Sequence, residues 1–349
     1  MPILNAKNLD ETLLDEFNLI YIDNSQLTIR RHKRGGEFYF KDKAGKQISN
    51  INIIERLNAV AVPPAYKQAT YSSLENGHLQ AVGIDSNGNK QYFYHVAWED
   101  LRALTKFSAL QSFGEKIPAF RRKITKLIKS DDQYERVIAA MFRILDKTGM
   151  RVGGESSAKT NKTYGITTLL KKHIDVHDSD IDFDYSAKGG VEISLEIHDT
   201  NVSQILEECE DIGGQRLFEY EDDKGNVHSI SSQHLNRFLK SIMGDEYSVK
   251  DFRTWRFSCL FLKMLLSELK KQNPITLKSL LDKTSEKTGN TPSILQSSYV
   301  HPGLIDIAKN HQALEHLLDK KLSKVGLRQN EAIFLNYLKS DHAKQSLIN

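Results

Sequence analysis

Apolar and polar residues alternate along much of the first hundred positions, then fall into a helical rhythm. Leu27-Thr-Ile-Arg and Glu37-Phe-Tyr-Phe-Lys flank a basic, glycine-containing stretch, Arg31-His-Lys-Arg-Gly-Gly, which predicts two strands with the cations in their turn. His78-Leu-Gln-Ala-Val-Gly83 and Lys90-Gln-Tyr-Phe-Tyr94 flank Asp85-Ser-Asn-Gly-Asn, a strong turn signal, and Pro63-Pro64 separates the two units. From about Trp98 the period becomes helical. Tyr134 to Leu145 sets Val137, Ile138, Met141, Ile144 and Leu145 on one face, with Gly149 as the expected C-cap.

A β interlude follows, in which Ile181-Asp-Phe-Asp-Tyr-Ser and Val191-Glu-Ile-Ser-Leu-Glu-Ile197 are joined across Lys188-Gly-Gly. Helices are expected to resume at Ser232. The segment from Ser248 opens with a Ser-x-x-Asp cap and carries Phe252, Trp255, Cys259, Leu262, Leu266 and Leu269 on one stripe. The last fifty residues read as amphipathic helix. The expected fold class is α+β: a small, mainly β domain over residues 1–98 and a larger, mainly α domain over 99–349 that carries a β-hairpin. A linker is expected near residues 95–105.

Composition narrows the class without choosing a function. A chain of 349 residues exceeds what one small core organises, and 39% hydrophobic with 27% charged residues excludes a disordered or fibrous protein. A net charge of +3 permits a nucleic-acid partner but does not demand one. Cys209 and Cys259 lack metal-ligand spacing, and Cys259 sits in the apolar run 257–262, which predicts a buried thiol and a reducing, cytoplasmic compartment. No secretory h-region follows Met1, and Lys263 interrupts the best apolar stretch, so no membrane association is expected.

Candidate chemistry lies in four segments that each put a cation or nucleophile at the end of an ordered element. They are Met150-Arg-Val-Gly-Gly-Glu155, the hairpin tip at Lys188, Lys250-Asp-Phe-Arg253-Thr-Trp255, and Gly289-Asn-Thr-Pro-Ser-Ile-Leu-Gln-Ser-Ser-Tyr299-Val-His-Pro302. Thr291 can cap a helix that Pro292 begins. Taken singly, each has an ordinary reading: a solvated arginine, a turn lysine, a packed tyrosine, a turn asparagine.

Taken in order, the segments resemble the catalytic regions of type IB DNA topoisomerases, in particular the small poxvirus-like enzymes of bacteria. Val82-Gly-Ile-Asp-Ser-Asn-Gly-Asn-Lys-Gln-Tyr-Phe-Tyr94 resembles that family's DNA-contacting N-terminal motif. Tyr164-Gly-Ile-Thr-Thr-Leu-Leu-Lys-Lys-His173 resembles a structural stretch ahead of its catalytic hairpin. The resemblance covers roughly residues 50 to 305. It implies a tyrosine-recombinase/topoisomerase-like catalytic domain and a clamp around double-stranded DNA, acting as a monomer at the nucleoid. It further implies that neither a metal nor a nucleotide cofactor is needed.

By the same resemblance Tyr299 is the nucleophile that bonds to a DNA 3′-phosphate. Arg151 and Arg253 hold the non-bridging oxygens, and Lys188 protonates the departing 5′-oxygen. Lys90, Gln91, Tyr92 and Tyr94 match positions that touch DNA. Asn290 departs from the histidine of the poxvirus enzyme. It can donate a hydrogen bond to a phosphate oxygen but cannot become a cation.

These residue types suit the reaction. Guanidinium forks are planar and permanently charged, as the oxygens of a displaced phosphodiester require. A phenol that titrates near pH 10 needs cations nearby to attack at neutral pH, and a poor alkoxide leaving group needs a general acid. Two other readings remain open: a tyrosine recombinase or integrase, which usually carries His-x-x-Arg where this chain has Lys250-Asp-Phe-Arg253, and a non-catalytic DNA-binding protein on the same scaffold. His301 is expected to mark the start of a helix rather than to serve as the base for Tyr299.

Overall fold

The structure, a computed structural model, describes residues 11–272, 274–310 and 325–347. It divides between Lys106 and Phe107 into two compact units. The first contains a five-stranded antiparallel sheet in the order β2-β1-β3-β4-β5. The strands are β1 (Ile29–Arg34), β2 (Glu37–Lys41), β3 (Lys67–Tyr71), β4 (Leu79–Ile84) and β5 (Lys90–Tyr94). Its packed face buries Ile29, Phe40, Ala69, Tyr71 and Ala81 against Leu57 and Val62.

Three expectations for this region change. The cations at 31–34 belong to strand β1, and the turn is made by Gly35 and Gly36 alone, at φ 59° and 94°. Residues 51–59, expected as part of a β region, form a helix, because Asn50 accepts a hydrogen bond from the Ile53 amide at 3.3 Å and Ile54 and Leu57 meet the core. The expected linker at 95–105 is the start of the helix Val96–Leu127. There Trp98 and Leu101, three residues apart, share one face and pack with Leu14 and Leu19.

The second unit is mainly helical, with a three-stranded antiparallel sheet, β6 (Ile174–His177), β7 (Asp180–Ala187) and β8 (Val191–His198). The β7–β8 hairpin has the expected strands. Strand β6 and the helix Thr200–Asp211, which Asp199 caps, extend the expected pattern. At the centre lies the helix Val249–Lys270, whose stripe is wider than predicted. Phe252, Trp255, Phe257, Phe261, Leu262 and Leu265 are all buried, so the helix is enclosed nearly all round. Cys259 is buried as expected. Of the last fifty residues, Pro302–Asn310, Gln329–Leu338 and Asp341–Gln345 are helical, whereas 311–324 and 348–349 lie outside the described residues.

An ionic cluster ties this unit together. Arg121 donates to Asp146 and, at 2.8 Å, to Glu331, whose side chain is 1% exposed and also meets Arg328. Burial pushes the Glu331 carboxyl upward, but the two guanidiniums outweigh it and hold it down to about 2. Removing Arg121 leaves the buried Glu331 and its neighbour Asp146 with Arg328 as their remaining cation. Arg121→Ala is therefore expected to lower unfolding free energy by about 3 kcal/mol, the low end for a broken buried pair, read from denaturant titration. A loss below about 1 kcal/mol would mean that the cluster contributes no more than a surface ion pair.

Candidate active site

Arg151 stands where a helix has been stopped. The helix Gln133–Thr148 ends at Gly149 in the left-handed conformation, φ 69° and ψ 27°, with its N–H on Leu145 O. A Cβ at Gly149 would also strike the Phe257 ring at 2.7 Å, so glycine is required twice over. The chain beyond is clamped against residues 165–168: the Ile166 amide donates to Arg151 O and the Thr167 amide to Val152 O, each at 2.8 Å. The two segments approach so closely that a Cβ at Gly165 would lie 2.5 Å from Arg151 O and 2.6 Å from Gly153 N. The glycines after Arg151 and the stretch from Tyr164 thus share one purpose, fixing the root of that arginine.

Arg253 lies beside the stripe residues Phe252 and Trp255 on the central helix and is itself 6% exposed. Three hydrogen bonds and two rings account for this. Its Nη1 donates to Gly149 O, its Nη2 to Asn290 Oδ1 at 3.3 Å, and its Nε to Tyr299 Oη at 3.3 Å. The guanidinium lies 4.8 Å from the Phe257 ring centre and 5.0 Å from that of Tyr299.

Tyr299 is the C-cap of a helix, Pro292–Ser298, that Thr291 caps and Pro292 opens as the sequence indicates. Its ring meets Phe257 edge-on at 5.1 Å, and Ser258 Oγ donates to its carbonyl at 2.8 Å. Burial, the largest influence, raises its phenol. The charge and hydrogen bond of Arg253, then Arg151 and Lys250, more than reverse this, so the phenol is held below the usual tyrosine range. Buried Tyr185, on β7 in the same cluster, shows the opposite balance: burial pushes it up to about 12 despite Arg253 and Arg151.

Asn290 is 5% exposed and uses its amide otherwise than expected. Its Oδ1 accepts from Arg151 Nη2 at 2.9 Å as well as from Arg253, while its Nδ2 donates to Thr288 O at 2.9 Å. The side chain is an acceptor shared by two guanidiniums, with its donor turned to the backbone.

Arg151, Arg253, Asn290 and Tyr299 therefore form one cluster. Lys188 does not join it by any hydrogen bond or ion pair among the described residues. It is exposed in the three-residue loop between Ala187 and Val191. Its hairpin is nonetheless adjacent, since Ile193 of β8 fills the space where a Cβ of Gly289 would go. His301 is enclosed by Phe107, Phe334 and Tyr337, its Nδ1 accepts from the Gly303 amide at 3.1 Å, and burial holds it neutral down to about 3. It starts the helix Pro302–Asn310, in keeping with its sequence reading.

Ser258, Phe257, Tyr185 and Lys250 were not singled out from sequence. Only Lys250 left a trace, three residues before Arg253 and so on a neighbouring part of the helix.

In the first unit, Lys90, Tyr92 and Tyr94 share a face of β5. Tyr92 is 42% exposed and stacks on Tyr94 with ring centres 6.3 Å apart. Tyr94 is half-buried against His78 and Trp98, with Arg102 over its ring. Gln91 departs from the expected group. Strand alternation sends it to the other face, where its Nε2 donates to Asp85 at 2.7 Å.

Over residues 97–296 the sequence matches the family described as eukaryotic DNA topoisomerase I, catalytic core, and over residues 37–85 that of the bacterial DNA topoisomerase IB N-terminal domain. A DNA topoisomerase 1B of Acanthamoeba polyphaga mimivirus is 29% identical over 309 residues, covering 83% of this chain and 91% of that protein. The DNA topoisomerase 1B of vaccinia virus (strain Copenhagen) is 24% identical over 304 residues, 84% of this chain and 89% of that protein. Among solved structures, a XerH site-specific recombinase in a post-cleavage complex with palindromic difH substrate aligns with 67% of this chain and 61% of that one, at 14% identity and a TM-score of 0.38. The catalytic-core match takes in Arg151, Lys188, Arg253 and Asn290 and stops three residues short of Tyr299. Spanning more than half of the sequence, it establishes that the chain belongs to the type IB DNA topoisomerase family, with poxvirus-like relatives.

Proposed function

We propose that this protein relaxes supercoiled duplex DNA by breaking and rejoining one strand through Tyr299. The observation that carries the reading is the hydrogen bond from Arg253 Nε to Tyr299 Oη, made while Arg253 and Arg151 share Asn290 Oδ1. A nucleophile and two permanent cations converge there within one chain, which supports action as a monomer.

In the forward step Tyr299 Oη attacks the phosphorus as its proton leaves to solvent. The new bond joins Tyr299 to the 3′-phosphate, and the bond from phosphorus to the 5′-oxygen breaks. Lys188 delivers a proton to that oxygen, which becomes a free hydroxyl. Arg151 and Arg253 balance the charge that builds on the non-bridging oxygens. Rejoining runs the same steps backward after the broken strand has rotated. One phosphodiester replaces another, so the exchange is close to neutral in energy and calls for no nucleotide.

The purified protein is expected to relax a negatively supercoiled plasmid with excess chelator present and no ATP. Denaturant added during turnover should trap protein on the 3′ end of the nicked strand. Strict dependence on ATP or magnesium, or nicks without attached protein, would count against the mechanism. A requirement for paired specific sites would move the assignment to a recombinase.

A further inference from the structure

The oxygen of Asn290 faces the guanidiniums of Arg151 and Arg253, and its nitrogen is spent on Thr288 O. The cluster around Tyr299 therefore offers a phosphate its cations, while the neutral donor that the sequence suggests at position 290 is turned away. Tyr185 can supply one.

Strand β7 sends Ile181, Phe183, Tyr185 and Ala187 to its buried face, as strand alternation requires. Tyr185 is the polar member of that row, is 6% exposed and stands three residues before Lys188. Apolar packing alone would be served by phenylalanine. Its register partner is Ile193 of β8, and directly opposite residues share a face. Ile193 Cδ1 in turn occupies the place of a Cβ on Gly289, the residue before Asn290. The pair thus brings the hairpin against the segment that carries Asn290. Both Arg253 and Arg151 are near enough to act on the Tyr185 phenol.

The hydroxyl is uncommitted. Tyr185 Oη makes no hydrogen bond among the described residues. Fully enclosed polar atoms without a partner include Thr254 Oγ1 and Trp255 Nε1 on the central helix but not Tyr185 Oη, so this oxygen keeps an open side. Burial pushes its phenol up to about 12, whereas that of Tyr299 is held below the usual range. At neutral pH Tyr185 keeps its proton, which makes it a donor and not a base.

We propose that Tyr185 Oη donates a hydrogen bond to a non-bridging oxygen of the phosphate that Tyr299 attacks, completing the set begun by Arg151 and Arg253. This rests on the reading of Tyr299 as the nucleophile of a DNA-relaxing enzyme. A hydroxyl donor adds no charge, and its bond strengthens as the oxygen gains charge in the transition state.

The test is single-turnover adduct formation by full-length Tyr185→Phe at saturating duplex, on a cleavage position mapped with the parent protein. The ordinary phosphate is compared with each diastereomer of a phosphorothioate at that position. On the ordinary phosphate the variant is expected to form adduct on the order of ten-fold more slowly, as loss of one hydrogen bond to a charged group requires. DNA affinity and thermal unfolding should stay parental, because the ring remains and the hydroxyl serves no other group. Sulfur is a weak acceptor, so the penalty should shrink to about two-fold on one diastereomer and persist on the other. A parental rate in the variant overturns the proposal. So does an undiminished penalty on both diastereomers, which would mark a structural role, or a lower unfolding temperature, which would reveal a partner inside the protein. Parent protein that binds duplex but forms no adduct overturns the functional reading instead.

Discussion

Tyr299→Phe is expected to bind duplex DNA as tightly as the parent protein while forming no covalent adduct and relaxing no plasmid. The substitution removes one oxygen. It keeps the ring that meets Phe257 edge-on and lies over Arg253, together with the backbone bond from Ser258. Arg253 Nε loses its partner, but its two other donors still hold Gly149 and Asn290. The folded state should therefore change little, with a cost of about 1 kcal/mol for one net hydrogen bond. Gel shift, adduct trapping on a labelled duplex and plasmid relaxation read the three properties separately. Parental relaxation by this variant would remove Tyr299 from the mechanism. Loss of binding together with activity would mark it as a structural residue.

Arg253→Ala should slow adduct formation about a hundred-fold or more, equivalent to about 3–4 kcal/mol of transition-state stabilisation for a buried charged donor. It should also move the rise of rate with pH upward. The tyrosinate fraction grows as pH increases, and Arg253 is the largest of the cations that lower the phenol. With it gone, burial still raises the phenol and less opposes it, so the same fraction is reached at higher pH. Single-turnover adduct formation across pH, at saturating DNA, measures both effects. A slower rate with an unshifted profile would separate Arg253 from the phenol.

Asn290→Ala should be milder than Arg253→Ala. Its oxygen spaces two guanidiniums that a bound phosphate can itself bridge, and its nitrogen serves the backbone at Thr288. Equal damage would mean that the arginines are misplaced without it.

Much of the architecture was written in local pattern. The Asp85–Asn89 turn, the cap at Gly149, the β7–β8 hairpin and the Thr291-Pro292 helix start depend on a few adjacent residues whose backbone preferences act alone. The helix Ile51–Ala59 carries no such local signal, because its apolar residues make sense only against the sheet they cover. The stretch near residue 100 is helix and not linker because Trp98 and Leu101 find Leu14 and Leu19, about eighty residues away in sequence.

The candidate site divides along the same line. Order and wording of motifs singled out Arg151, Lys188, Arg253, Asn290 and Tyr299, since a family resemblance needs no coordinates. Sequence could not say that Arg253 is buried, that Asn290 faces the arginines with its oxygen, or that Gln91 leaves the face that Tyr92 occupies. Arg253 and Tyr299 lie 46 residues apart and Arg151 and Asn290 139 apart, so these contacts exist only once the chain has packed. Local sequence sets which groups can meet water or bend the backbone. Desolvation and the distance between charges, which determine what a phenol or an amide does, belong to the folded molecule.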